Sequence, residues 1–305
     1  MENLAQLEAL CERLYKSQDS AERAYAENTL RCFSQDISCI SQLEYILANA
    51  RNPYAVLFAS SSLLKQVTEN ILPLQLRLQI RNLVINYLAS RSADLEHFVT
   101  TSLIQLVCRV TKFGWFDDDK FQEIVSDSVN FLNQEAAHYA IGLKVLNHLV
   151  GEINQPTPGL SVLQNRKVAN KFKDQALSQI YQISLTSLLG LKNDAQQKLQ
   201  ELALSLSLQC LSFDFMGVTV DESADEVGTL QTPISWRPVL EEPSTVQLYF
   251  DYYAVTSPPV SKLALECLVS LASVRRSFFT SPGTRMIFIT SLMMGTKDIL
   301  ETGKG

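Results

Sequence analysis

The stretch "NPYAVLFASSSLLKQVTENILPLQLRLQIRNLVINYLAS", residues 52–90, decides the fold class. It contains two runs of apolar residues at helical spacing, and each run begins at a proline, Pro53 or Pro73. Proline is well tolerated at the first position of a helix, and Asn52 before Pro53 can cap the exposed N–H groups. The stretch therefore predicts two consecutive helices joined by a short turn.

Helical spacing continues on both sides of this stretch. Ser257-Pro258 and Ser281-Pro282 repeat the start signal of a polar residue followed by proline. Residues 202–208 alternate leucine with small residues, as a strand does, but the helix formers that precede them favour a helix. We predict helices near 3–16, 20–34, 37–50, 53–69, 73–90, 95–114, 119–133, 135–153, 161–190, 194–212, 244–255, 258–277 and 282–301. Taken in pairs, they repeat roughly every 40 residues, which is the period of HEAT and armadillo arrays.

Such helix pairs need neighbours. A single pair cannot bury its apolar face alone, whereas stacked pairs close a continuous core and leave an extended surface for partners. The last predicted helix carries Ile287, Leu292 and Ile299, and no polar capping repeat follows it. We therefore expect the chain to be the N-terminal piece of a longer solenoid, truncated at its C-terminus.

The composition narrows the possible functions. The chain has 305 residues, 46% of them hydrophobic, and its net charge of −6 argues against non-specific nucleic-acid binding. No apolar run approaches the ~18 residues of a membrane span, and the N-terminus lacks the pattern of a signal peptide. The six cysteines form no C-x-x-C pair, so we expect buried free thiols and a reducing compartment, the cytosol or nucleus.

Signatures of catalysis and of metal binding are missing from the sequence. There is no phosphate-binding loop, no dinucleotide fingerprint and no nucleophile elbow. The three histidines, His97, His138 and His148, lack metal-ligand spacing. The carboxylates of "FDDD", residues 116–119, lack the pattern of a calcium loop and are better interpreted as a helix cap. We predict no catalytic residue, no metal and no cofactor.

Two helices carry polar residues that admit a second interpretation. In the helix near 95–114, Thr101, Gln105, Arg109 and Lys112 form a polar, basic stripe. Such a stripe is either a solvated face or a contact face for an acidic partner.

The helix near 53–69 carries four small side chains in succession, Ala59 to Ser62. Small side chains of this kind let neighbouring helices approach closely. Lys65 and Gln66 are expected to project near the end of this helix, where they could reach a partner.

Residues 213–243 interrupt the helical spacing. The segment has an acidic middle, Asp221 to Glu226, followed by a tryptophan and an arginine between two prolines. It is either a recognition element or a connector docked on the helices, since long loops in compact folds are frequently functional. Its expected anchors are Phe213, Phe215, Trp236 and Arg237.

Several segments resemble a known family. Arg23, Ala26, Glu27 and Leu30 match the R-x-x-A-E-x-x-L core of the importin-β N-terminal domain. Further segments resemble the exportin-7 and Ran-binding protein 17 family within the importin-β superfamily of nuclear transport receptors. They are "VTKFGWFD" (110–117), "GEINQ" (151–155), "NRKVANKFKD" (165–174), "FDFMGVTVDES" (213–223), "PISWRP" (233–238) and "LASVRRSFF" (271–279).

The resemblance implies an all-α fold, a right-handed α-solenoid of HEAT repeats, and a receptor that is not an enzyme. Such receptors bind the GTPase Ran in its GTP form, carry protein cargo, and cross the nuclear pore through weak contacts with phenylalanine–glycine nucleoporins. The implied function is nuclear export, with RanGTP and cargo bound cooperatively and the protein shuttling between nucleus and cytoplasm. An import receptor of the same superfamily and a HEAT scaffold unrelated to transport are the alternatives.

The resemblance also implies a division of the chain. Residues 1–115 would form an importin-β N-terminal-like region of three HEAT repeats that binds RanGTP, and residues 116–212 further HEAT repeats. The insert, 213–243, and the last repeats, 244–305, would follow. Ran would lie on the second helices of the first three pairs. The expected Ran-binding residues are Glu27, Asn28 and Arg31 on the first, Lys65 and Gln66 on the second, and Gln105, Arg109 and Lys112 on the third.

Overall fold

The fold was obtained as a computed structural model, which describes residues 4–91, 95–194, 196–214, 230 and 232–302. Within these ranges the chain is helical and forms no strand, apart from an isolated bridge between Leu230 and Val274. The predicted all-α class is therefore confirmed. Phe215 and the acidic stretch 221–226 lie outside the described residues.

Fifteen α-helices make up the described part of the chain. They are α1 (Leu4–Lys16), α2 (Ser20–Gln35), α3 (Ile40–Asn49), α4 (Pro53–Glu69), α5 (Leu74–Arg91), α6 (His97–Gly114), α7 (Ile124–Leu132), α8 (Ala136–Asn154), α9 (Val162–Phe172), α10 (Ser178–Leu191), α11 (Gln197–Leu211), α12 (Arg237–Leu240), α13 (Pro243–Val255), α14 (Val260–Ala272) and α15 (Pro282–Thr302). Consecutive helices pack in pairs, as a HEAT-type solenoid requires.

Most predicted helices have limits within three residues of those expected, and two differ by more. The run predicted from residue 119 starts with a 3₁₀ turn, Asp119–Phe121, and the helix itself begins at Ile124. The side chain of Asp118 accepts a hydrogen bond from the Lys120 N–H and so caps the 3₁₀ turn. The helix predicted from residue 258 begins at Val260 and ends at Ala272.

The chain divides into two compact units. Unit 1 comprises residues 1–148 and 156–162, and unit 2 comprises residues 149–155 and 163–305. These two units are distinguished by their internal contacts and do not test the four segments predicted from the sequence. The predicted boundaries at residues 115, 212 and 243 therefore stay a prediction, as does the handedness of the solenoid.

In unit 1, α4 is the central helix, because it contacts α1, α2, α3 and α6. Its start matches the sequence signal: Pro53 occupies the first turn, and the Asn52 side chain accepts a hydrogen bond from the Tyr54 N–H at 2.9 Å. The Glu8 carboxylate of α1 accepts two further bonds, from the N–H groups of Arg51 and Asn52, at 2.7 and 2.9 Å. These bonds fix the entry of α4 against α1.

Small residues bring α4 close to α6, as the run Ala59 to Ser62 predicted. Ser60 and Ser102 are both buried, and their Oγ atoms are 2.7 Å apart. Ser60 also donates to the Leu57 carbonyl oxygen, so these buried hydroxyls are hydrogen-bonded.

Two arginines of α5 connect this helix to the segment that follows α6. Arg81 is almost fully buried and forms an ion pair with Asp127 of α7. Arg77 forms an ion pair with Asp117 at 2.7 Å and donates to the Phe113 carbonyl oxygen at 3.1 Å. Breaking a pair such as Arg81–Asp127 leaves an uncompensated charge at the buried Arg81, so this ion pair holds α7 in place.

Residues 156–161 form a connection that packs back onto the ends of α4 and α6. Thr157 is buried and accepts a hydrogen bond from the Lys112 ammonium group of α6 at 2.7 Å. Gly159 has a φ of +91°, a left-handed conformation that favours glycine. A Cβ atom at this position would lie 2.4 Å from the Thr68 carbonyl oxygen of α4.

The core of unit 2 contains a chain of buried hydroxyl groups. Tyr181 of α10 and Tyr249 of α13 are hydrogen-bonded through their hydroxyl groups at 3.1 Å. Tyr249 donates to Ser207 of α11 at 3.0 Å, and Ser207 is 2.7 Å from the hydroxyl of Ser184. Helices α10, α11 and α13 are thus joined by hydrogen bonds inside an otherwise apolar core.

The helix predicted over 161–190 contains one irregularity. Between α9 and α10 the residues Lys173–Leu177 form a π-helical turn, and the chain continues through it without a break. Such a turn widens the helix locally by one residue.

None of the described helices combines the length and hydrophobicity needed to cross a lipid bilayer.

We expect Gly159→Ala to lower the urea midpoint of the protein. The left-handed conformation costs an L residue of order 1–3 kcal/mol, and the new Cβ also meets the Thr68 carbonyl oxygen. Gly190→Ala is the matched control, because Gly190 lies in α10 with open space around it. The control should unfold at the same or a slightly higher urea concentration. An unchanged midpoint for Gly159→Ala would contradict the packing of residues 156–161.

We also expect stability to fall at alkaline pH. Burial raises the pKa of the Cys210 and Cys267 thiols and of the Tyr181 and Tyr249 phenols well above their ordinary values. The unfolded chain releases these protons near pH ~8.5 for thiols and ~10 for phenols, while the folded chain keeps them. The contribution of these four groups to the free energy of unfolding is therefore fully present below these pH values. It is lost as the pH rises toward the raised pKa values of the folded state.

Urea titrations between pH 7.5 and 10 measure this loss. The double variant Cys210→Ala/Cys267→Ala should show a shallower decline of stability with pH, because each thiol accounts for up to ~1.4 kcal/mol per pH unit. Cys32→Ala removes an exposed thiol and serves as the control. The idea is wrong if the double variant and the wild type decline with the same slope.

Candidate functional site

We use the term second-helix face for the eight residues on α2, α4 and α6 that the sequence analysis selected. On α2, Ala26, Leu30 and Phe33 are buried against the neighbouring helices. The residues selected on this helix, Glu27, Asn28 and Arg31, point away from that core and are exposed. Arg31 donates from Nη2 to Asn28 Oδ1 at 2.7 Å, which presents the guanidinium and the amide together.

On α4 the two selected residues differ. Lys65 is half-buried, and it has no ion pair among the residues described. Gln66 is only 1% exposed, and its Oε1 accepts a hydrogen bond from Asn70 Nδ2 at 2.8 Å. The expectation that Gln66 projects toward a partner is therefore wrong, because its amide lies in the interior at the end of α4.

On α6, Gln105 and Arg109 are half-buried, whereas Lys112 is fully buried, with 0% of its side chain exposed. The connection 156–161 covers Lys112, and Thr157 accepts the hydrogen bond of its ammonium group. Lys112 therefore supports this connection and has no exposed surface. The prediction that Lys112 belongs to an exposed polar stripe on α6 is wrong. The spacing along α6 could not reveal this, since a segment far along the chain covers the residue.

Arg109 brings two of the second helices together. Its Nη1 atom donates to Thr68 Oγ1 of α4 at 2.8 Å. Thr68 lies three positions after Lys65, so both side chains are on one face of α4. Lys65 and Arg109 are therefore both neighbours of Thr68, Lys65 along α4 and Arg109 across the contact between α4 and α6.

The corrected second-helix face is suited to binding a protein surface that carries carboxylates. It contains the cations Arg31, Lys65 and Arg109, the anion Glu27, and the amides Asn28 and Gln105. Because α4 packs against both α2 and α6, these groups sit on adjacent, rigidly packed helices. Thr68 is the one residue here that the sequence analysis missed, and its spacing from Lys65 is the only sequence signal that could have identified it.

No arrangement for metal chemistry is found in the part of the chain that the structure describes. No three or more His, Cys, Asp or Glu side chains there come together as ligands. The cysteines are free thiols, and burial raises the pKa of Cys11 to about 12. His138 contacts the Ala89 carbonyl oxygen through Nε2 at 2.9 Å and stacks on Phe131, so it connects helices.

Three of the four expected anchors of the insert are described, and they contact helices of unit 2. Phe213 packs against Phe172 with ring centroids 6.1 Å apart. Trp236 is fully buried and stacks on Tyr181 at 4.9 Å. Arg237 donates hydrogen bonds to the carbonyl oxygens of Phe278 and Ser277. Phe215, the remaining expected anchor, lies outside the described residues.

Known proteins resemble both the second-helix region and the whole chain. Residues 26–90, which extend from within α2 into α5, match the model of the importin-β N-terminal domain. Exportin-7-A of Xenopus laevis is 40% identical over 314 residues, which cover 99% of this chain and 29% of that relative. Ran-binding protein 17 of Homo sapiens is 38% identical over 316 residues, covering 100% of this chain and 29% of that relative.

A more distant relative is similar over a smaller part of the chain. Exportin-7 of Dictyostelium discoideum is 33% identical over 230 residues, covering 73% of this chain and 22% of that relative. The chain thus spans less than a third of the length of the curated relatives it matches. On the strength of this similarity and of its paired helices, the chain belongs to the exportin-7 and Ran-binding protein 17 family of the importin-β superfamily and corresponds to the N-terminal portion of its members.

Proposed function

We propose that the chain is the Ran-binding part of a nuclear export receptor and that it acts by binding, without catalysis. The observation that carries this proposal is the 40% identity to exportin-7-A over 99% of the chain. Ran-binding protein 17 is similar to this chain over its whole length, and its name supports Ran as the partner.

We place RanGTP on the second-helix face, reduced to its exposed and half-buried members. These are Glu27, Asn28, Arg31, Lys65, Gln105 and Arg109. Gln66 and Lys112 are left out of this set because they are buried. The three cations would meet carboxylates of the partner, and such complementary charge raises the rate and specificity of association.

Protein cargo would bind together with RanGTP. Cooperative binding of two ligands requires that each raises the affinity of the other, typically by 1–3 kcal/mol of coupling. An array of helix pairs suits this, because a small rotation at each pair adds up along the array. Passage through the pore by weak contacts with phenylalanine–glycine nucleoporins and shuttling between nucleus and cytoplasm belong to the same proposal.

Two other functions compete with this one. An import receptor of the same superfamily would release cargo when RanGTP binds, whereas an export receptor binds cargo more tightly with RanGTP. A HEAT scaffold unrelated to transport would bind Ran in neither nucleotide state. The similarity to proteins named exportin-7 favours export.

The first experiment measures binding of Ran loaded with a non-hydrolysable GTP analogue, by interferometry on the immobilised chain. We expect the double variant Arg31→Glu/Lys65→Glu to weaken binding by at least about tenfold, since it places like charges against the partner's carboxylates. Ran loaded with GDP should bind far more weakly than the GTP form.

The matched control is Arg13→Glu/Lys120→Glu, which reverses two exposed charges of unit 1 outside α2, α4 and α6. It should bind Ran like the wild type. Equal binding of the GTP and GDP forms, or binding of neither by the wild-type chain, would remove the proposed function. An unaffected Arg31→Glu/Lys65→Glu variant would leave Ran binding intact but refute its location.

A further inference from the structure

Unit 2 contains a basic cleft that has no part in the proposed Ran contact. It has a volume of about 570 Å³ and lies between the connection that follows α14 and the first turns of α15. This volume is within the range of ~300–1,000 Å³ that is typical of ligand pockets. Its lining includes Arg276, Phe279, Arg285, Met286 and Ile289.

The wall of this cleft is held in place by the rest of unit 2. Arg237 of α12 donates to the carbonyl oxygens of Phe278 and Ser277, and its guanidinium lies 5.9 Å from the centre of the Phe278 ring. Glu241 accepts hydrogen bonds from the N–H and the hydroxyl of Thr280, at 2.7 and 3.0 Å. A wall fixed in this way loses little conformational freedom when a ligand binds.

Aromatic packing adds to this rigidity. Phe279 contacts the rings of both Phe278 and Phe288, with centroids 5.7 and 5.0 Å away. Phe278 and Phe288 are buried, while Phe279 also borders the cleft. The apolar side of the cleft is therefore built on the core of unit 2.

The charges of Arg276 and Arg285 are uncompensated within the described residues. Arg276 is exposed and Arg285 is half-buried, and neither forms an ion pair or a side-chain hydrogen bond there. The arginines Arg77 and Arg81 of unit 1, by contrast, are paired with carboxylates. Glu241 is nearby, but Thr280 already engages its carboxylate.

The start of α15 contributes little to anion binding. The Thr284 N–H donates to the Ser281 hydroxyl at 3.1 Å, and the Ser281 N–H donates to the Thr284 hydroxyl at 3.1 Å. The two residues thus cap the helix with their own side chains. The arginine side chains remain as the groups available to an anionic partner.

The other side of the cleft is apolar. Met286 is 65% exposed, and Ile289 lies one turn further along α15. Together with Phe279 they form an apolar wall next to the two guanidinium groups. An arginine forms paired, charge-assisted hydrogen bonds with a carboxylate, and an apolar wall excludes water from such a contact.

We propose that this cleft binds an acidic peptide segment of a partner protein, with carboxylates on Arg276 and Arg285 and an apolar side chain against Phe279, Met286 and Ile289. In a chain with a net charge of −6, a basic cleft of this kind selects acidic partners by charge complementarity. The proposal does not depend on Ran binding, because its residues belong to unit 2 and the second-helix face belongs to unit 1.

The test uses fluorescence anisotropy with the whole chain and a short labelled peptide that alternates Glu with Leu and Phe. We expect saturable binding that weakens as ionic strength rises, since salt screens exposed charge pairs. A peptide with Gln in place of Glu, and one with Ser in place of Leu and Phe, should each bind at least about tenfold more weakly.

The variant Arg276→Gln/Arg285→Gln should lose at least about tenfold in affinity for the acidic peptide and most of its salt dependence. The matched control Lys262→Gln/Lys297→Gln removes the same charge from exposed positions outside the cleft and should bind like the wild type. Circular dichroism of both variants confirms that they are folded.

Four results would overturn the proposal. The Gln peptide could bind as well as the Glu peptide, the arginine variant could bind like the wild type, or the acidic peptide could fail to bind. The third result combined with binding to phosphatidylserine vesicles would assign the cleft to a membrane surface instead. Loss of binding in the lysine control would show that net charge alone, and not the cleft, is responsible.

Discussion

The close approach of α4 and α6 is the constraint on which unit 1 depends. Ser60 and Ser102 meet at this contact, and a larger side chain at either position would separate the two helices. Because α4 also packs on α1, α2 and α3, its distance from α6 sets the spacing of three successive helix pairs. The polar residues of the second helices derive their fixed arrangement from this spacing.

Much of this architecture could be predicted from the sequence, because the signals are local. Asn52 and Pro53 begin a helix through a cap and a preset φ, and the structure shows that cap. The leucines at 202–208, which alternate as in a strand, lie in α11 with Leu204 and Leu206 both buried. A helix packed on two sides needs apolar residues around most of its circumference, so both periodicities fit it.

The rest depends on contacts between distant parts of the chain, which spacing does not encode. Lys112 looked like a surface residue by its position on α6, yet Thr157 covers it from 45 positions away. Gln66 is buried for a similar reason, at a helix end that neighbouring segments enclose. The basic cleft of unit 2 was missed as well, since Arg276 and Arg285 belong to different elements and share no motif.

The π-helical turn at Lys173–Leu177 fixes which faces α9 and α10 present to their neighbours. One extra residue in a regular α-helix rotates everything beyond it by about 100°, whereas a π-helical turn takes up that residue in one wider turn. With the same residues and no widened turn, α9 would be rotated by about 100° relative to α10. Val168 and Phe172, which are buried on α9, would then leave the face on which they pack.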